Sequence, residues 1–303
     1  MARKRVAKPT ISIVGPGNLG SALALELFCA GYPIHAIVRR ATSKITRLKA
    51  LAGRVKANLI VMGERPLDSD IVWLTVPDDA IAKVAAQLAA SQSWKGKTVF
   101  HSSGALSSEE LAPLWEKGAS VASVHPLMTF VAGKKASWRG VAFAVEGDDE
   151  AVRIASRIAI ELGGSPFDID RRSKVLYHAF GSFASPLVIA LMSAMEQVAE
   201  AAGIPPEKAK EMMQPLLAET LNNYLRTDAA SAFSGPLVRG DVQTVRKHLA
   251  HLERAPEARD VYLALARVAI QRLPAKNKEA LEKELVDDQK PGKVRVRARV
   301  RRC

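Results

Sequence analysis

The apolar residues follow two different spacings along the chain. Between residues 10 and 170, short apolar runs alternate with segments whose apolar residues recur every three or four positions. This alternation predicts strand–helix units and a mostly parallel sheet. The run at residues 70–76 is almost continuously apolar, as expected for a central strand covered on both faces. Strands are predicted at residues 10–14, 32–38, 56–61, 70–76, 97–101, 119–124, 141–145 and 165–168.

From residue 171 onward the strand pattern disappears and only helical spacing remains. Residues 174–202 contain no break other than Pro186, which predicts one long, kinked helix. Further helices are predicted at residues 206–225, 242–252, 256–273 and 276–286. We therefore predict an α/β domain over residues 10–170 and an all-α domain over residues 171–288, flanked by basic ends at residues 1–9 and 289–303.

A glycine-rich turn joins the first predicted strand to the first predicted helix. It consists of Gly15, Pro16, Gly17, Asn18, Leu19 and Gly20. In this setting Gly15 can take a tight turn, Gly17 lets the backbone approach a pyrophosphate, and Gly20 lets the helix pack closely. The helix N-terminus adds free N–H groups and a positive dipole. The motif predicts that these six residues bind a dinucleotide and that residues 10–170 form a doubly wound Rossmann domain.

The end of the second predicted strand indicates which dinucleotide is bound. Arg39 and Arg40 stand there, and no Asp or Glu occurs between Glu26 and Glu64. An acidic residue at this place binds the ribose hydroxyls of NAD, whereas arginine accommodates the 2′-phosphate of NADP. The alternative is a solvated basic loop. The pattern favours NADP as the cofactor.

Loops that follow the other strands are expected at the same carboxyl edge, where open α/β sheets bind ligands. His125 follows the sixth strand and is a candidate catalytic residue, although a histidine before a proline can simply anchor a turn. His101 is a weaker candidate at the end of the fifth strand. The residues predicted to line the cofactor are Val76, Pro77, Ser102, Ser103 and Gly104.

The first long helix carries a polar stripe on an otherwise apolar surface. Lys174, His178, Gly181, Ser182 and Ser185 fall on this stripe, which should face water or a ligand. Lys174 and His178 disfavour each other's charge, which suits general acid work, so both are predicted to be catalytic. Ser182 and Ser185 are predicted to contact the substrate. The alternative is a solvated helix start.

A loop at residues 234–241 contains two glycines, Arg239 and Asp241. Arg239 is predicted to bind a substrate carboxylate through two hydrogen bonds. The alternative is a connector in which Asp241 caps the following helix.

Composition and charge narrow the class of protein. The 303 residues are 48% hydrophobic and 25% charged, enough for two domains with substantial cores. Two cysteines suggest neither a disulfide framework nor a metal site, so we expect a cytoplasmic protein without a metal. Most of the net charge of +13 lies in the two ends, the C-terminal one being an edge strand or a solvated tail. Without a recognisable nucleic-acid-binding motif we expect no specific nucleic-acid partner, and we expect no membrane-spanning stretch.

Six motifs, in this order, resemble a known group of proteins: GPGNLG, TVPDDAI, HSSGAL, SVHPLMTF, the lysine/YH helix start and GPLVRGD. They are similar to Rossmann-like proteins with a C-terminal helical domain of unknown function, related to pyrroline-5-carboxylate reductase, ketopantoate reductase and deazaflavin-dependent NADP reductase. The resemblance implies an NADP-dependent oxidoreductase that transfers a hydride to a small keto or imino acid in a cleft between the domains. It also implies a homodimer formed through the helical domain.

The chain departs from this group at one place. Such proteins usually carry an asparagine after the YH segment, where this chain has Ala184, Ser185 and Pro186. This departure supports the alternative of a non-catalytic NADP-binding sensor or interaction protein. A second alternative, a reductase that uses a deazaflavin partner, is not excluded by the sequence.

Overall fold

The computed structural model describes residues 7–43, 45–133 and 136–287. The chain divides after Ser185 into two compact units, here called the sheet unit and the helical unit. The division lies beyond Arg171, where the change of pattern places it, because the first helix after that point belongs to the sheet unit. Lys174 on this helix is fully buried among residues of the sheet.

Eight strands form one sheet in the order β3-β2-β1-β4-β5-β6-β7-β8. Neighbouring strands are parallel except for β6 and β7, so the predicted mostly parallel sheet is confirmed. The strand order reverses beside β1, which creates a topological switch point between β1 and β4. The strands are β1 (Ile11–Val14), β2 (Ile34–Arg39), β3 (Asn58–Val61), β4 (Ile71–Leu74), β5 (Thr98–His101), β6 (Ser120–Pro126), β7 (Ala142–Gly147) and β8 (Ser165–Asp168).

Helices cover the sheet and build the helical unit. They are α1 (Asn18–Cys29), α2 (Ile45–Arg54), α3 (Asp78–Ala89), α4 (Ala112–Trp115), α5 (Asp149–Glu161), α6 (Lys174–Ala184), α7 (Pro186–Ala201), α8 (Pro206–Arg226), α9 (Ala229–Ala232), α10 (Pro236–Arg239), α11 (Val242–Leu252), α12 (Pro256–Arg272) and α13 (Lys278–Asp287), with 3₁₀ turns at Ser108–Leu111 and Arg171–Ser173. The predicted helix at residues 174–202 is two helices. Its break lies at Ser185, with φ −135° and ψ −82°, because a proline disfavours helical backbone at the preceding residue.

Each unit has its own apolar core. In the sheet unit, α1, α2 and α5 pack on one face of the sheet and α3 and α4 on the other. The four residues of β4 are all buried, as the continuous apolar run predicts, and Trp73 contacts Phe100 edge to face with ring centroids 5.0 Å apart. The core of the helical unit is formed around Val245, Leu263 and Ile270. A sheet covered on both faces leaves its carboxyl edge as the open place for chemistry.

The N-terminal end contributes to the sheet unit from residue 7 onward. Lys8 donates a hydrogen bond of 2.7 Å to the Ala30 carbonyl, pairs with Glu161, and lies 4.2 Å above the Tyr32 ring. Lys8 is therefore part of the fold and not of a free extension. Residues 1–6 and the predicted basic tail at residues 289–303 lie outside the described residues.

One described segment, Arg171–Ala201, is long and apolar enough to cross a membrane by length and composition. Its most apolar 18 residues have a mean hydropathy of 1.6. The expectation that no stretch would meet this criterion was wrong, because α6 and α7 follow each other almost without interruption. The apolar side chains of the segment, among them Leu176, Phe183 and Ile189, are exposed.

Candidate active site

The glycine loop after β1 packs against the end of β4. Gly15 has φ +85°, a conformation that favours glycine, and a Cβ there would lie 2.5 Å from Val76 Cγ1. A Cβ at Gly20 would lie 2.3 Å from Thr75 Oγ1. Both glycines are therefore required by the close approach of β1, α1 and the segment after β4.

The N-terminus of α1 suits the pyrophosphate of a dinucleotide. Gly17 is the N-cap residue, and among the described residues no side chain caps the helix and no acidic residue stands in its first turn. A Cβ on Gly17 would meet only the Gly15 carbonyl, at 4.0 Å, so the surface above Gly17 is open. Asn18 uses its side-chain amide to donate to the Phe130 carbonyl at 3.2 Å. The first-turn N–H groups are thus left for an anion.

Thr75 was not predicted from the sequence, yet it fixes this loop. Its Oγ1 donates to the Gly15 carbonyl at 2.8 Å, from the end of the strand beside β1. The available signal was a hydroxyl residue directly after the central apolar run. Thr75 therefore positions the glycine loop.

The two arginines after β2 differ in what they contact. Arg39 Nη1 donates to the carbonyls of Arg40 and Ala41, both at 2.9 Å, so this side chain shapes its own loop. Arg39 Nε is buried and has no hydrogen-bond partner among the described residues. Arg40 is exposed. The two guanidinium groups at this strand end can hold an anionic group, and Arg40 is the more exposed of the two.

The turn after β5 is held by its own hydrogen bonds. Ser103 Oγ donates to Asp78 Oδ2 at 2.8 Å and accepts from the N–H groups of Ala105 and Leu106 at 3.2 and 2.9 Å. Ser102 Oγ accepts from Trp73 Nε1 at 2.8 Å. Both predicted cofactor-binding serines thus have side chains engaged within the fold.

The hydrogen bonds of His101 indicate a structural role. Its Nδ1 accepts from the Ser103 N–H at 3.1 Å, so the proton sits on Nε2, which donates to the Ser107 carbonyl at 2.9 Å. Burial lowers the pKa of His101 to about 4. A neutral ring with both nitrogens bonded anchors the turn and has no proton to give.

Lys174 lies inside the sheet unit, contrary to the prediction that it faces water or a ligand. Its side chain is 0% exposed, and Nζ donates to Ser123 Oγ at 2.7 Å and to the Ser103 carbonyl at 3.2 Å. Glu146 Oε1 lies 4.0 Å from Nζ and also accepts from Ser108 N. Burial lowers the pKa of Lys174, while the Glu146 and Asp78 carboxylates oppose that shift. The ammonium ties the β5 turn to β6 and β7.

Two histidines and a tyrosine meet at the end of β6. His125 Nδ1 lies 2.9 Å from Tyr177 Oη, with perpendicular rings whose centroids are 5.5 Å apart. The His178 ring is 6.2 Å from that of His125. Burial, aided by Lys174 and His178, lowers the pKa of His125 to about 4, and burial raises the pKa of Tyr177 to about 12. Tyr177 was not predicted as a site residue from the sequence. The available indication was its position next to His178 and one helical turn after Lys174.

Gly104 completes this cluster. A Cβ at Gly104 would lie 2.7 Å from His178 Cδ2 and 2.9 Å from His125 Nε2. The structure thus brings together three predicted residues, Gly104, His125 and His178, at the carboxyl edge of the sheet. The exposed His178 ring and the half-buried Tyr177 give this cluster access to a ligand.

The remaining predicted residues are placed as follows. Ser182 Oγ donates to the His178 carbonyl at 3.0 Å on the same helix, and Ser185 ends α6. Arg239 is exposed and belongs to the helical unit. Asp241 Oδ1 accepts from Thr244 N at 3.0 Å, so the alternative of a helix cap is confirmed for Asp241.

No group of three or more potential metal ligands occurs in the described parts of the chain.

Two family models match the chain, one after the other. A family model for a Rossmann-like domain matches residues 2–126, and a model for a domain of unknown function, DUF2520, matches residues 141–269. The second match begins within the sheet unit and includes β7, α5 and β8. A comparison with curated proteins gives no match.

Solved structures share the fold over nearly the whole chain. A protein from Bacteroides fragilis, described provisionally as an NADP oxidoreductase, is 20% identical with a TM-score of 0.70, covering 88% of this chain and 99% of its own. An imine reductase from Myxococcus stipitatus in complex with NADP⁺ is 19% identical with a TM-score of 0.63, covering 92% and 100%. A pyrroline-5-carboxylate reductase from Coxiella burnetii is 16% identical with a TM-score of 0.55, covering 93% and 97%. The family models thus identify a Rossmann-like domain at residues 2–126, followed by a C-terminal domain of the DUF2520 family at residues 141–269.

Proposed function

We propose that the protein is an NADP-dependent oxidoreductase that transfers a hydride to a small keto or imino acid. The observation that carries this proposal is one shared edge: the glycine loop after β1 and the cluster of Gly104, His125 and His178 both stand at the carboxyl ends of parallel strands. Ligands of open α/β sheets bind along this edge. The proposal is supported by the names of the structural neighbours, which include reductases, one of them in complex with NADP⁺.

The residues that we assign to the cofactor lie at different places along this edge, and each set binds a different part of the dinucleotide. The N–H groups at the start of α1, above the open Gly17, bind the pyrophosphate. Arg40 binds the 2′-phosphate, while Arg39 holds the loop in shape. Val76, Pro77 and the turn at Ser102 line the nicotinamide half. When bound, the nicotinamide supplies the hydride.

The substrate end is formed by α6 and the ends of β5 and β6. Since the pKa of His125 is about 4, its ring is neutral at pH 7 and acts through hydrogen bonds instead of charge. His178 is exposed beside it and is assigned to contact the substrate. Ser182, Ser185 and Arg239 stay predictions as substrate ligands, Arg239 for a carboxylate.

We also propose a homodimer formed through the helical unit. Exposed apolar side chains line α7 and α8, among them Ile189 at 64% and Leu225 at 70% exposure, with Leu187 and Leu216. Apolar surface on such helices is stabilised when a second copy covers it. Sedimentation of the wild type and of Leu216→Glu/Leu225→Glu tests this: we expect a dimer that the double substitution dissociates, and a monomeric wild type would contradict it.

The experiment that tests the proposed function is a substrate screen with purified protein. NADPH oxidation is followed with a panel of small keto acids and cyclic imino acids. The proposal predicts turnover with at least one of them. NADPH binding without turnover across the panel would instead favour the non-catalytic sensor.

A further inference from the structure

We propose that Tyr177 is the proton donor of this site, with His125 as its hydrogen-bond partner, and that the group reduced is the carbonyl of a keto acid and not an imine. This inference rests on the proposed reductase function and names the residue and the substrate class within it.

The Tyr177 side chain is held from two sides. Its hydroxyl lies 2.9 Å from His125 Nδ1, and its ring meets the His125 ring at 88°. The Phe167 ring of β8 also contacts it, with centroids 5.9 Å apart at 67°. The side chain is half-buried, so the hydroxyl is fixed without being enclosed. A positioned acid at the edge of an open site is the requirement for proton transfer.

The neighbouring groups are poorer donors. Lys174 is fully buried and directs its protons at Ser123 and the Ser103 carbonyl. His101 has both ring nitrogens engaged. Burial lowers the pKa of His125 to about 4, so at pH 7 its ring is neutral and carries no second proton to give. Tyr177, with a pKa of about 12, holds its proton at every neutral pH. His178 is the remaining rival, because it is exposed and its ring centroid lies 6.2 Å from that of His125.

The tautomer of His125 decides where the phenolic proton points. Its Nε2 faces Gly104 and has no hydrogen-bond partner among the described residues, whereas Nδ1 faces Tyr177 Oη. With the proton on Nδ1, His125 donates to the phenolic oxygen, and the O–H of Tyr177 is free to donate to a substrate. The same bond stabilises the phenolate that remains after the proton has left.

The proton balance favours a carbonyl substrate. As the carbonyl carbon accepts the hydride, the π electron pair of the C=O bond moves to oxygen, and that oxygen takes the proton from Tyr177 Oη. The product is a hydroxy acid, and solvent returns a proton to the phenolate. An alkoxide is a much stronger base than a phenolate, so this transfer is downhill. An imine must be protonated before it accepts a hydride, and a phenol whose pKa is raised does this poorly.

The pH dependence separates Tyr177 from a histidine donor. The titratable groups around the His125–Tyr177 pair are Lys174 and His178 on α6, His101 on β5 and Asp78 on α3. Because neither Tyr177 nor His125 titrates near neutrality, kcat should be constant there. With a histidine as the donor, kcat would fall as the pH rises through neutrality.

Tyr177→Phe is the test, since it removes the hydroxyl and keeps the ring contacts. Tyr262→Phe is the matched control: Tyr262 Oη lies 3.2 Å from His248 Nδ1, with perpendicular rings 5.9 Å apart, in the helical unit. We expect Tyr177→Phe to bind NADPH like the wild type and to lose about 10²-fold or more in kcat on a keto acid, the usual effect of removing a positioned acid. Tyr262→Phe should behave as the wild type.

A second pair of variants tests the role of His125. The amide nitrogen of His125→Asn can take the place of Nδ1, so this variant should keep more activity than His125→Leu. Wild-type kcat in Tyr177→Phe, a kcat that falls through neutral pH, or faster turnover of cyclic imines than of keto acids would each overturn the inference. A wild type that binds NADPH but turns over nothing would overturn the proposed function itself, and this inference with it.

Discussion

Replacing Lys174 with methionine removes a buried charge while keeping an unbranched side chain of similar length. In the wild type, Lys174 Nζ donates to Ser123 Oγ at 2.7 Å and to the Ser103 carbonyl at 3.2 Å, with Glu146 Oε1 at 4.0 Å. The substitution leaves the Glu146 carboxylate buried without its cation. Hydrogen bonds from Ser108 N and Oγ, at 2.7 and 2.8 Å, still stabilise that carboxylate.

Breaking a buried ion pair by removing one partner costs about 3–5 kcal/mol. Because Ser108 compensates Glu146 in part, we expect Lys174→Met to lower the free energy of unfolding of the sheet unit by about 3 kcal/mol, the low end of that range. Adding Glu146→Gln removes the uncompensated charge and should recover at least half of the loss. Lys97→Met is a matched control: Lys97 Nζ donates to the Ser69 carbonyl at 2.9 Å, and its loss should cost about 1 kcal/mol.

Urea unfolding followed by tryptophan fluorescence measures these values, because all four tryptophans lie in the sheet unit. A Lys174→Met protein as stable as the wild type, or a double variant no more stable than the single one, would contradict a stabilising role for this buried ion pair. Turnover gives a second readout. A positional role for Lys174 predicts that kcat recovers with stability in the double variant, whereas a donor role predicts that it stays low.

Four further predictions concern the cofactor, the turn after β5 and the tail. NADPH should bind at least about tenfold tighter than NADH, and titration calorimetry should show a larger loss of this preference in Arg40→Ala than in Arg39→Ala. The folded-state pKa of His101, about 4, lies below its ordinary value of 6.5. The contribution of neutral His101 to the free energy of unfolding is therefore complete above pH 6.5 and is lost, by about 3 kcal/mol, as the pH falls towards 4. Urea unfolding at both ends of this range should show that the stability of His101→Gln depends less on pH than that of the wild type. Gly104→Ala should displace both histidine rings and lower kcat with little change in melting temperature. Deletion of residues 291–303 should leave NADPH binding intact by calorimetry, and its loss would make the tail part of the fold.

Local patterns made the fold predictable from the sequence. Continuous apolar runs, such as the one that becomes β4, identify strands because a covered parallel sheet requires them. The conformation of Gly15 and the packing of Gly20 follow from the order strand, glycines and helix. The break at Ser185 was also within reach, since Pro186 follows it.

Long-range contacts explain what the sequence did not predict. The helical stripe placed Lys174 correctly on one face of α6 but did not show that the face meets Ser103 and Ser123, which are distant in the chain. Tyr177 looks like an ordinary apolar position on a helix until β6 places His125 beside it. Spacing along one element gives the side on which a residue lies, but not its partner.

Transfer of deuterium is the most direct test of the central claim, that the glycine loop and the His125–Tyr177–His178 cluster serve one reaction. The wild type is incubated with a small keto acid and NADPH that carries deuterium at the transferable position, and the product is analysed by mass spectrometry. We expect a hydroxy acid that carries one deuterium, formed in the same amount as NADP⁺. Bound NADPH with no deuterium in any product, across the panel of keto acids, would contradict it.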